Sequence, residues 1–98
     1  MTLEEIRKIA MPACREFGVK RLDVFSSVAR GEESAESDVD LLVEFEDPHR
    51  HASKRFFGLL HKLEDALEHK VDLLTSNSLK NPYFRRRVLE ERMNIYGG

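Results

Sequence analysis

Asp38-Val39-Asp40-Leu41-Leu42-Val43-Glu44-Phe45 alternates cleanly. Val39, Leu41, Val43 and Phe45 fall on one parity, and Asp38, Asp40 and Glu44 on the other. A period of two is the mark of a half-buried strand, with the apolar parity facing a core. Upstream, residues 19–26 carry Leu22, Val24 and Phe25 in a short apolar run and read as a second strand. The polar residues 27–37, with Gly31, read as a turn or short helix followed by a loop. Downstream, residues 46–52 form a polar loop containing Pro48. Ser53 then caps a helix whose apolar stripe is Phe56, Leu60, Leu63 and Leu67. Residues 71–75 read as a third strand.

The ends of the chain read as helices. Thr2-Leu3-Glu4-Glu5 is a capping box, and Leu3, Ile6, Ala10, Ala13 and Phe17 follow at helical spacing up to Gly18. Pro12 is expected to kink or split this helix. Asn81-Pro82 is a cap followed by proline in the first turn. The last helix is expected to reach about Tyr96, burying Phe84, Val88 and Ile95, with Gly97-Gly98 a frayed end. Helix, strand, strand, helix, strand, helix gives an α+β fold: one domain over residues 1–98, with a small mixed β-sheet flanked by helices.

Composition narrows the function classes. The 98 residues are 41% hydrophobic and 35% charged, which suits a globular domain with one core. No apolar run approaches the roughly 20 residues of a membrane span, and the first 18 residues lack the pattern of a signal peptide. One cysteine, Cys14, permits neither an intrachain disulfide nor a cysteine zinc cage, so a cytoplasmic setting is expected. The net charge of −2 argues against binding nucleic acid through its phosphates.

The chemistry sits around the alternating strand. Asp38 and Asp40 share a sheet face, where two carboxylates raise a pKa or recruit a cation. Hard oxygen donors suit Mg²⁺. Asp72 lies in an apolar strand among Val71, Leu73 and Leu74, where packing gives an acid no role. If that strand lies beside residues 38–45, three acids could hold two metal ions about 4 Å apart, the clamp for in-line phosphoryl or nucleotidyl transfer. The turn at Ser27, Arg30 and Gly31 adds a hydroxyl, a planar cationic fork and a permissive backbone for phosphate.

With those residues in place, the chain resembles the minimal nucleotidyltransferases of the DNA polymerase β-like superfamily. Their motif is Gly-Ser, about ten residues, then Asp-x-Asp, with a third carboxylate on a later strand. Ser27, Arg30, Gly31, Asp38, Asp40 and Asp72 stand in the matching positions. The resemblance implies a polymerase β-like palm core. It implies transfer of a nucleoside monophosphate, with ATP as donor and Mg²⁺ as cofactor, onto a hydroxyl. It also implies a HEPN-domain toxin as partner, for which this chain would be the antitoxin. Ser26 departs from the family pattern, which has glycine there. A Cβ at that point crowds the phosphates, so the rival reading is a binding module that neutralises its partner by occlusion. An aminoglycoside-type nucleotidyltransferase is a weaker rival, because its helical substrate domain is missing.

Other polar residues have plainer readings. His49 and His51, with Asp47, Arg50, Lys54 and Arg55, read as a solvated basic loop. His61 and His69 read as outer-face or helix-end residues, and Cys14 as a small buried hydrophobe. Arg85, Arg86 and Arg87 read as a solvated helix face. Glu44 lies too far along its strand to join the acids.

Overall fold

The computed structural model describes residues 2–25 and 39–97. Chain order runs α1 (Leu3–Glu16), β1 (Val19–Phe25), β2 (Val39–Phe45), α2 (Ala52–Leu67), β3 (Val71–Thr75), a single 3-10 turn (Ser76–Ser78), α3 (Pro82–Glu91) and β4 (Met93–Gly97). The sheet order is β3-β2-β1-β4. β1 pairs antiparallel with both β2 and β4, while β2 and β3 run parallel through the α2 crossover. The fold is α+β, as expected.

One sheet face carries the main core. Leu22, Val24, Leu41, Val43 and Leu73 pack under Ile6, Ala10 and Cys14 of α1 and Leu59, Leu63 and Leu67 of α2. The opposite face is covered only in part. There Val88 of α3 and Leu79 close over Phe25 and Leu42, with Leu74 against them.

Several local expectations are corrected. Pro12 neither kinks nor splits α1, which runs unbroken to Glu16. Pro12 and Lys8 both lie on the exposed side, so the one backbone bond that proline removes is on the solvent side. Burial of Ile6, Ala10, Ala13 and Cys14 opposite keeps the helix whole. The residue flanking α2 at its start is His51, not Ser53, and it has left-handed backbone at φ 48° with no side-chain cap.

The last helix ends at Glu91 rather than near Tyr96. The residues after it instead form β4 against β1. Ile95 is buried as expected, but from a strand. Phe84 is not buried: it is 45% exposed. Gly97 is no frayed end. Its φ is 72°, and a Cβ there would lie 1.9 Å from the Lys20 carbonyl oxygen, so only glycine lets β4 approach β1 this closely. The Asn81 cap does form, accepting from the Tyr83 and Phe84 amides.

Candidate active site

Asp40 and Asp72 arrive at one register. In the parallel pairing of β2 with β3 they are Cα partners. Neighbouring strands lie about 4.8 Å apart, and partners at one register project to one face. The two carboxylates therefore stand side by side on the sheet face that α3 partly covers. Asp40 is half-buried and Asp72 exposed. On its other side Asp40 partners Phe25, the last residue of β1. The next pair along the same face is Leu42 and Leu74, which belong to the apolar cluster under α3. The acids thus sit at the open edge of a dry patch, where low polarizability on one side strengthens attraction to a cation.

Ser27, Arg30, Gly31 and Asp38 lie outside the described residues, as does Ser26. Magnesium needs only one or two protein carboxylates, and fills its shell with water and phosphate oxygens. The donor set at Asp40 and Asp72 fits that requirement. Among the described residues, no group of three or more His, Cys, Asp or Glu could hold a metal ion. A three-acid arrangement therefore rests on Asp38.

Glu44 stands apart, as expected. Four residues separate it from Asp40, about 13 Å along a strand, and its carboxylate lies 3.8 Å from Lys20 Nζ. The basic run also has the plain role. Arg86 pairs with Glu90 at 3.0 Å and Arg87 with Glu91 at 3.8 Å, while Arg85 donates to the Ser76 carbonyl. Cys14 is fully buried, and that burial pushes its thiol pKa up to about 12. A hollow of about 480 Å³ lined by Phe45, Phe56, Phe57 and His49 opens at the Val43–Thr75 end of the sheet, away from the acids.

Two residues escape the sequence reading. Asp23 is 1% exposed and accepts from Arg21 Nε at 2.8 Å and Asn94 Nδ2 at 3.2 Å, with Arg92 Nη1 at 3.4 Å. Its place in the apolar run Leu22-Asp23-Val24 is the available signal, but its burial depends on β4 flanking β1. Arg55 is not part of a solvated loop. It sits on α2 and donates to the carbonyls of Phe17, Gly18, Glu46, Asp47 and Arg50, with its guanidinium 4.7 Å over the Phe45 ring.

The family model described as a nucleotidyltransferase domain matches residues 6–94. The chain belongs to that family. Relatives of this nucleotidyltransferase include a Methanocaldococcus jannaschii protein named "Putative protein adenylyltransferase MJ1379". It is 36% identical over 98 residues, covering 96% of this chain and 98% of the relative. "Protein adenylyltransferase MntA" of Thermococcus cleftensis is 41% identical over 85 residues, covering 83% of this chain and 84% of the relative. A solved structure described as a "putative minimal nucleotidyltransferase" superposes with a TM-score of 0.78 at 36% identity, over 95% of each chain. A chain from the complex described as tri-AMPylated Shewanella oneidensis HEPN toxin with MNT antitoxin shares the fold. Its TM-score is 0.70 at 18% identity, over 99% of this nucleotidyltransferase and 74% of that chain. The nucleotidyltransferase core expected from the sequence is therefore the observed one. Among the described residues, no helix is long and apolar enough to cross a membrane.

Proposed function

We propose that this nucleotidyltransferase moves AMP from ATP onto a hydroxyl of a partner protein, and that the partner is a HEPN-type toxin neutralised by the transfer. The observation that carries the reading is the in-register pair of Asp40 and Asp72 on one sheet face, beside the end of β1. A carboxylate pair with this chemistry is suited to Mg²⁺, which neutralises and orients phosphate oxygens. Asp38 and Asp40 would hold two such ions, and Asp72 would complete the site. Asp72 accepts the proton as the acceptor oxygen bonds to the α-phosphorus and pyrophosphate leaves with the bonding electrons. Ser27, Arg30 and Gly31 bind the triphosphate in this reading. The names of the similar proteins, an adenylyltransferase and an antitoxin with its HEPN toxin, support the same donor and partner. In this reading residues 1–98 act as one domain in the cytoplasm.

The test is transfer of label from α-³²P-ATP to a HEPN-domain partner. Label is expected with Mg²⁺, and is expected to vanish with chelator or with Asp40→Ala. A second reading has one feature in its favour: Ser26 stands where the family has glycine. If only Ser26→Gly labels the partner, the native chain neutralises by binding. Neutralisation that survives the Asp38→Ala, Asp40→Ala double substitution leads to the same conclusion. No label with either Ser26 or Gly at that position overturns the enzymatic reading.

A further inference from the structure

Phe84 keeps 45% of its surface in water while its ring meets a second ring edge-on. Its centroid lies 6.3 Å from that of Phe25, with the planes at 75°. Phe25 is itself buried and is the Cα partner of Asp40, which in turn partners Asp72. Phe84, Phe25, Asp40 and Asp72 thus form a row running from α3 across the sheet face to β3. One strand spacing of about 5 Å and one ring contact separate the exposed ring from Asp40. That is the reach of a nucleoside measured from its first phosphate.

The first turn of α3 offers a ring and not an anion cradle. Asn81 Oδ1 already accepts from the Tyr83 amide at 2.9 Å and the Phe84 amide at 3.2 Å. Nor does packing account for the exposure, since Val88 and Leu79 already close the apolar cluster beneath α3. An aromatic face buttressed by a second ring is suited to stacking on a flat heterocycle.

We propose that Phe84 is the platform on which the base of the bound nucleotide stacks, so that purine nucleotides are taken over pyrimidine ones. This rests on the reading that the Asp40–Asp72 pair handles the phosphates of a nucleotide. Stacking of a base on an aromatic side chain is worth roughly 5- to 150-fold in affinity, and the larger purine surface gains more.

The chain has no tryptophan, so Phe84→Trp introduces the sole indole reporter. With Mg²⁺ present, ATP is expected to quench its emission and tripolyphosphate to leave it unchanged. By calorimetry, Phe84→Leu is expected to weaken ATP about tenfold and leave tripolyphosphate unaffected. Phe84→Tyr keeps the ring and is expected to hold wild-type affinity, which separates stacking from damage to the fold. Wild-type protein is expected to bind ATP more tightly than CTP. If ATP and tripolyphosphate bind wild type equally, or ATP leaves the indole emission unchanged while binding, the platform is refuted and the phosphate site stands. If wild type binds neither, the nucleotide reading falls and the platform with it.

Discussion

Asn94 on β4 donates its side-chain amide to the carboxylate of Asp23 on β1 at 3.2 Å, and the two residues are also Cα partners across the strand pair. With Arg21 and Arg92 on the same carboxylate, this buried acid ties the last strand and the end of α3 to the centre of the sheet. Asp23→Ala should cost about 3 kcal/mol, because it leaves guanidinium and amide donors without their shared acceptor. Urea denaturation measures it. Asp23→Asn, which keeps an acceptor oxygen, should cost less.

Asp40 and Asp72 should behave in the opposite way. Asp40→Asn or Asp72→Asn should lower AMP transfer by about 100-fold or more. Without metal or nucleotide, Asp72→Asn should leave stability unchanged or raise it by a few tenths of a kcal/mol, since like charges at facing positions repel. Initial rates and urea midpoints on the same preparations give both numbers. A large loss of stability would mark Asp72 as structural.

Arg55 holds five backbone carbonyls from two stretches of chain, residues 17–18 and 46–50. Removal should be costly, because hydrogen bonds from a charged donor are worth more than neutral ones. Arg55→Ala should destabilise by about 2–3 kcal/mol. Arg55→Lys should recover little of that, as an ammonium cannot reproduce the planar fork. Thermal unfolding of the two variants side by side decides the point.

Gly97→Ala should cost more than about 2 kcal/mol, combining unfavourable positive φ with a clash on backbone. The clash partner is the Lys20 carbonyl oxygen, which cannot turn away as a side-chain tip could. Loss of slow amide exchange at β4 would accompany the drop in urea midpoint.

Cys14 sets an alkaline limit. Its pKa is pushed up to about 12 by burial, from an ordinary value of 9.0. Below the ordinary value the thiol is neutral in both states and stability does not depend on it. Above that value the unfolded chain loses the proton first, so stability falls until the folded thiol also ionises near 12. The Cys14→Ala variant should flatten this alkaline decline in a pH series of urea midpoints. Native protein should resist thiol reagents at pH 8, while unfolded protein reacts.

Much of the fold and part of the site are legible in the sequence, for physical reasons. The alternation at Val39, Leu41, Val43 and Phe45 places β2 and its polar parity, and an acid among Val71, Leu73 and Leu74 singles out Asp72. Their shared register follows from parallel pairing, which sequence spacing suggests but cannot impose. β4 is hidden because Arg92 to Tyr96 continues a helical pattern. What ends the helix is pairing with β1, a tertiary contact with no local signature. Arg55 looks like a loop residue because the carbonyls it binds converge only after α1, β1 and α2 have packed. Helical spacing puts Phe84 in the core, but spacing says which residues share a face and not whether anything covers it.

The sheet order puts β3 at an edge, joined to the rest of the sheet through β2 alone. Asp40 belongs to an interior strand, while Asp72 rides on the margin, on a segment of five residues. Edge segments detach at lower free energy than the centre of a sheet. A brief peeling of that margin would separate the two acids while the interior ladder of β1 and β2 stays intact. In the transfer proposed for this pair, the working lifetime would be limited by how tightly one short outer ribbon clings, rather than by how hard the whole domain is to melt.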